Sequence, residues 1–371
     1  MRILIACGAF AVVLAAFSAI GNSQKAKFAP KAAVPLDAVS AVMDAFRSHP
    51  IVALGDGAHG NEQAHAFRLS LIRDPRFAAT VDDIVVECGN ARYQDVVDRF
   101  VAGDDVSDAS LRNVWRNTTT PTTLWDLPIR EEFFRAVRLV NASLPQERRL
   151  RILLGDPPID WDSVHTRGDY EKWLALRDSF PADVVEREVI AKKRRALVIY
   201  GDMHFQRKNL MSNYDMGDPL ALGIVNLLEQ RNTSVFSIWT NTDANLDLDT
   251  LQPDVASWRL PALAILRGTI LGAADFTFYY PFKVPRLTIR DGKPDFSSPV
   301  PTEQWRSLRM EDQFDAVLYL GRRASLTSSR LSPSVCQDTE YIRDRLARMA
   351  LAGLPQSEAD RLKQICSAVL Q

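Results

Sequence analysis

Any long run of charge of one sign is missing from this 371-residue chain: 45 basic residues face 46 acidic ones, and no basic stripe stands out. The positive footprint that nucleic-acid binding requires is therefore absent, and no nucleic-acid partner is expected. The serine-hydrolase elbow G-x-S-x-G and the phosphate loop G-x-x-x-x-G-K-[ST] are absent too, which removes a nucleophilic serine of the common type. No internal repeat is visible, and no Gly/Ser linker follows residue 35. With 46% hydrophobic residues, the chain can bury a large core as one elaborated domain.

One long apolar run exists, at the start. Arg2 precedes I-L-I-A-C-G-A-F-A-V-V-L-A-A-F-S-A-I, and the small, polar G-N-S-Q follows. This pattern resembles a secretory signal peptide covering residues 1–21, with an uncleaved anchor as the alternative. Export implies a secreted or periplasmic protein, with no membrane association after cleavage. It also implies an oxidising compartment. Residues 22–35, rich in Lys, Ala and Pro, read as a flexible leader.

Cysteine is scarce as well, with three left after cleavage. Cys336 and Cys366 lie near the outer ends of two helices joined at G-L-P-Q-S, so a disulfide stapling that hairpin is expected. Cys88 sits in an apolar strand and reads as a buried thiol.

What the chain does contain is an alternation of short apolar runs with helical patterns. Strands are expected at 51–54, 84–87, 151–154, 196–200, 235–239 and 314–320. Helices are expected between them, with Asn61 as an N-cap and Gly103 as a helix terminator. Residues 104–128 read as a helix and then a loop lying over the site, 160–195 as helical and strongly charged. Residues 241–310 break the pattern and are expected to cap the crevice or add an antiparallel edge. The fold class is α/β: a mostly parallel sheet flanked by helices, with cap-like insertions and a C-terminal helical hairpin. Residues 36–330 form the α/β domain and 331–371 the hairpin packed on it.

Charged groups recur where these strands end: Asp56 and His59, Glu87, and Asp202 with His204. In a parallel sheet the carboxyl ends of the strands line one crevice. Two imidazoles and several carboxylates would meet there, which is the material of acid/base or metal chemistry. Arg92, Arg130 and Arg207 are candidates for the compensating charge.

Two motifs compete with this reading. Gly55, Gly57 and Gly60 spell G-x-G-x-x-G between a strand and a helix, with Glu87 ending the next strand, as in a dinucleotide-binding fingerprint. Against it, Asp56 would place a carboxylate beside a pyrophosphate. His59, Glu62 and His65 spell H-x-x-E-x-x-H, but residues six apart are roughly 240° apart around a helix and cannot chelate one ion together.

The segments L-G-D-G-A-H-G, I-V-V-E, a helix ending V-A-G, R-I-L-L-G-D and V-I-Y-G-D-M-H-F together resemble the erythromycin esterase group. That group is related to the ChaN-like haem-binding proteins and the TIKI/TraB proteases. F-D-A-V-L-Y-L, with Asp315, is similar to a late strand of the esterases. The resemblance implies functional roles for Asp56, His59, Glu87 and His204, with Asp56 standing where the group has Glu. The stretch from Asp156 to Gly201 is too short for the esterases' long helical insert, so a macrolide pocket is not expected.

The reading that follows is an exported hydrolase of a small-molecule ester, lactone or amide. His59 is the general base, oriented by Asp56 or Glu87, with Glu87 as the alternative activator of water. His204 is the acid or oxyanion donor, and Arg92, Asp202 and Arg207 bind substrate. The same residues suggest either no cofactor or a divalent metal, zinc or manganese, on His59, Glu87 and His204. The rival is a haem- or iron-binding protein using His59, His204, Met203 or Tyr200.

Overall fold

A computed structural model describes residues 29–207, 223–242, 247–276, 285–290, 293–299 and 309–371. The expected signal peptide lies outside the described residues. The elements in chain order are β1 (Leu36–Asp37), α1 (Ala38–Ala45), β2 (Ile51–Gly55), α2 (Glu62–Arg73), α3 (Pro75–Thr80) and β3 (Asp83–Asn90). Then come α4 (Gln94–Ala102), α5 (Asp108–Arg116), α6 (Pro128–Ala142), β4 (Arg151–Asp156), α7 (Arg167–Leu174) and α8 (Ser179–Val185). β5 (Ala196–Tyr200), α9 (Ile224–Gln230), β6 (Val235–Asn241) and β7 (Ala262–Ile265) follow. A separate hairpin of β8 (Pro285–Arg290) and β9 (Lys293–Pro299) precedes β10 (Ala316–Tyr319).

Among the described residues, eight strands form one sheet in the order β1-β7-β10-β6-β2-β5-β3-β4. From β10 to β4 all neighbours pair in parallel. β7 pairs antiparallel with both β10 and β1, supplying the antiparallel edge expected within 241–310.

Alternation within the strands explains the layers. Val52 and Leu54, Ile84 and Val86, and Leu197 and Ile199 point to one core with α1 to α6. Ile51 and Ala53, Val85, and Val198 and Tyr200 point to a second core with α8 and α9. Both faces are dry, which is why these strands read as continuous apolar runs.

Local signals act as the sequence suggests. Asn61 Oδ1 accepts from Ala64 N at 2.8 Å and starts α2, and Gly103, with φ +110°, ends α4. Two regions differ. The stretch 160–195 breaks into α7, a turn at 175–178, α8 and one turn of π-helix. The expected leader is held from Lys31 onward: Gln252 donates to Ala33 O at 2.9 Å and accepts from Ala33 N at 2.7 Å.

The C-terminal hairpin consists of helices Thr339–Leu351 and Gln356–Leu370, after a short helix at Pro333–Gln337. Cys336 and Cys366 are joined by a disulfide, with Cα atoms 5.2 Å apart. The hairpin docks through Tyr341, whose hydroxyl donates to Asp126 at 2.5 Å, and through Arg345, which donates to the Arg116 carbonyl at 2.6 Å.

Candidate functional site

The site is built where β2, β3 and β5 end side by side. Gly55 of β2 lies opposite Tyr200 of β5, and Val86 of β3 opposite Ile199. Asp56, Glu87 and Gly201 therefore emerge next to one another. β3 also slips register against β4 between Val86 and Asn90. Such a bulge re-aims side chains beside a site, and here it involves Glu87 itself.

Asp56 is buried and accepts from several donors. Its Oδ2 lies 2.6 Å from His59 Nδ1 and 2.6 Å from an Arg130 nitrogen, and Arg68 pairs with Oδ1. Burial would raise its pKa, but the Arg130 and Arg68 guanidiniums and the His59 bond hold it well below the usual carboxylate range. Trp125 fixes the ring from the other side. The His59 and Trp125 rings meet edge-on at 4.8 Å, and the Arg130 guanidinium lies 4.8 Å over the same indole.

Across Gly201 lies a second couple. Glu87 Oε2 accepts from Gly201 N at 2.8 Å, and Oε1 accepts from Arg177 at 2.6 Å. His204 Nε2 is 3.4 Å from Glu87 Oε1, and its Nδ1 is 2.6 Å from Asp178 Oδ1. Burial works against the charge on His204, but the Asp178 and Glu87 carboxylates outweigh it and raise its pKa to about 9. Burial likewise disfavours Glu87 as an anion, yet His204, His59 and Arg177 together keep it ionised.

The two couples face each other. A Cβ built on Gly201 would lie 3.2 Å from His59 Cε1, 3.3 Å from Nε2 and 3.6 Å from Glu87 Oε2. Glycine thus keeps the space between the His59 ring and the Glu87 carboxylate clear.

Asp56, His59, Glu87 and His204 are accordingly brought together. Asp202 is adjacent, but its oxygens accept from Gly57 N and Thr240 N, each at 2.9 Å, and tie the loops at the sheet edge. Arg92 pairs instead with Asp160 at 3.1 Å. Arg207 pairs with Asp315 at 2.6 Å, beside the amino ends of β6 and β10, away from the cluster. Neither arginine joins the four residues, since each is paired with an acid elsewhere.

Sequence reasoning missed Arg68, Arg177 and Asp178. Asp156 ends β4 buried, bound by Thr119 N at 2.7 Å and Thr119 Oγ1 at 2.5 Å. Burial raises its pKa to about 7 despite these bonds. His65 is buried and meets Glu132 at 3.0 Å, not a metal partner of His59. The Cys88 thiol is pushed by burial to about 11 and is inert.

The dinucleotide reading meets an obstacle here. Gly57 N is taken by Asp202, and Ala58 N donates to Thr242 Oγ1 at 2.6 Å, so these loop amides are spent internally. β5 also separates β2 from β3, whereas the fingerprint belongs to adjacent strands.

Zinc or manganese does not fit either. Three guanidiniums already occupy the carboxylates, and no group of three or more His, Cys, Asp or Glu among the described residues is arranged to hold a metal. Of the two candidate haem-ligating imidazoles, His204 has both nitrogens facing carboxylates, while His59 has only its Nδ1 taken, by Asp56.

The class is thus a three-layer α/β protein with a histidine, carboxylate and arginine cluster at the carboxyl ends of its central strands. No family model matches the chain, and neither does any curated protein. Its fold is similar to that of a succinoglycan biosynthesis protein, with a TM-score of 0.53 and 10% identity over 81% of this chain and 96% of that one. It also resembles an erythromycin esterase EreC mutant in its open conformation (TM-score 0.49, 12% identity, 79% and 94% covered). ChaN of Campylobacter jejuni, bound to cofacial haem, is a more distant likeness (TM-score 0.32, 12% identity, 57% and 87% covered).

Proposed function

We propose that this protein is a hydrolase that cleaves a small-molecule ester, lactone or amide with water activated by His59. One observation carries the reading: the buried Asp56 carboxylate holds His59 Nδ1 at 2.6 Å, while Nε2, on the opposite edge of the ring, faces Gly201 and the Glu87 carboxylate beside it. A carboxylate on Nδ1 fixes the tautomer that leaves Nε2 as a proton acceptor, and it stabilises the imidazolium once formed.

In this reading Nε2 takes a proton from water as the oxygen attacks the carbonyl carbon. The carbonyl π electrons move to oxygen, and the tetrahedral oxyanion takes the His204 Nε2–H, which reaches Glu87 only across 3.4 Å in the free protein. Collapse breaks the bond to the leaving group, which takes the proton that His59 received from water and so restores the neutral ring. Glu87 and Asp178 keep His204 charged for this step. Arg177 offsets the second negative charge beside Glu87. Export to an oxidising compartment belongs to the same proposal and is supported by the Cys336–Cys366 bridge. Among the described residues, no helix is long and apolar enough to cross a membrane.

The test is an ester and lactone screen of the wild type against His59→Ala. Loss of the base should lower kcat/KM by about 10²–10⁴-fold. Equal turnover by both proteins, or none by either, overturns the reading.

A further inference from the structure

Beside His59 a groove of about 870 Å³ opens between the C-terminal hairpin and residues 122–127. Its size is that of a small-molecule site. His59 is the member of the catalytic cluster that lines it. One wall is the helix Gln356–Leu370, where Leu362, Ile365 and Val369 recur at helical spacing. Leu124 and Leu127 form the opposite wall. Leu362 is buried in the hairpin's own small core, but Ile365 stands 38% exposed with its side chain toward the groove. An exposed isoleucine over an open gap, with an apolar wall opposite and Arg330, Glu358 and Arg361 supplying the polar part of the lining, marks a binding surface.

We infer that this groove holds the apolar part of the substrate, an alkyl or acyl chain of medium length whose scissile bond lies at His59. The inference rests on the hydrolase reading and adds the substrate class to it. Continuity decides the occupant: the His59 ring lines the groove, so a chain lying in it can set its polar end at the catalytic cluster. The disulfide-stapled hairpin is then the specificity element, separate from the residues on the sheet that carry the chemistry.

The experiment uses the full chain and two readouts. The first is kcat/KM for p-nitrophenyl acetate, butyrate, hexanoate and octanoate. Each added methylene should raise it roughly two- to fourfold while the chain is being buried. Ile365→Asp should flatten this series, and Ala368→Trp, which narrows the groove, should reverse it at the long end. Both positions are exposed, so the fold tolerates the changes. The second readout is binding of N-octylacetamide followed by tryptophan fluorescence. It should saturate in the wild type and in His59→Ala, and weaken about tenfold or more in Ile365→Asp.

A flat series in a protein that still cleaves acetate through His59 overturns the groove and spares the hydrolase. Saturable octyl binding without any ester cleavage keeps the groove and removes the hydrolase. No octyl binding, with a dimer in sedimentation that Ile365→Asp dissociates, identifies the groove as an interface between copies and ends the inference.

Discussion

The Asp56 carboxylate binds His59 Nδ1 at 2.6 Å and at the same time neutralises two buried guanidiniums, Arg68 and Arg130. One side chain thus serves both the proposed chemistry and the fold. Asp56→Asn should lower kcat/KM by about 10²–10⁴-fold, since an amide cannot hold the same tautomer. Unlike a purely catalytic change, it should also cost about 3–5 kcal/mol in urea unfolding, because two buried cations lose their counter-charge. A variant that is inactive yet fully stable would contradict this dual role.

His204 provides the pH signature. Its folded pKa, about 9, lies above the unfolded value near 6.5. Its contribution to stability is therefore fully present below about pH 6.5 and lost as pH rises through about 9. If His204 acts as the imidazolium, kcat/KM falls along the same alkaline limb. Asp178→Asn removes a raising charge and should move that limb to lower pH. An alkaline limb unchanged in Asp178→Asn, measured with an ester of constant ionisation, would exclude the role.

Gly201 separates geometry from stability. It adopts φ −54°, so alanine meets no backbone strain there. Its Cβ would nevertheless sit 3.3 Å from His59 Nε2. Gly201→Ala should melt close to the wild type and lose activity by about tenfold or more, as the ring is pushed off its line. Gly55 offers a contrast, since a Cβ there would fall 1.8 Å from Asp202 Oδ1. Gly55→Ala should lower stability as well as activity.

The Cys336–Cys366 bridge closes a separation of 30 residues. In the chain-entropy picture such a bridge stabilises by about 3–4 kcal/mol. Reduction, or a double Cys→Ser variant, should make the last 40 or so residues the first point of limited proteolysis. Equal protease resistance of oxidised and reduced protein would show that the docking of Tyr341 and Arg345 suffices alone.

The fold was largely legible because its central strands are buried on both faces and carry β-branched runs that no surface helix would have. The convergence of Asp56, His59, Glu87 and His204 was legible for the same reason: each follows or ends such a run. Of the counter-charges, Arg130 was a candidate, and Arg68 and Arg177 were not. Arg92 and Arg207 lie closer to the motifs in sequence, but the pairing of a long side chain depends on which helix packs where. A signal was nevertheless present. Arg68 lies on the stripe with Ala64, Leu71 and Ile72, and Arg130 on the stripe with Phe133, Phe134 and Val137. A guanidinium on the apolar stripe of an amphipathic helix requires a buried partner, and Asp56 is that partner. Arg177 and Asp178 had no comparable signal, since they sit in a turn inside a uniformly charged stretch.

The position of β5 between β2 and β3 has a consequence for biosynthesis. Residues 51–55 and 83–90 find no neighbour in each other: 83–90 can pair early with 151–156, but the two halves join only through residues 196–200. Half of the polypeptide is therefore made before its sheet can close at the centre. Long-range pairing of this kind folds slowly, so a nascent chain halted before residue 196 would expose bare strand edges to chaperones or to aggregation.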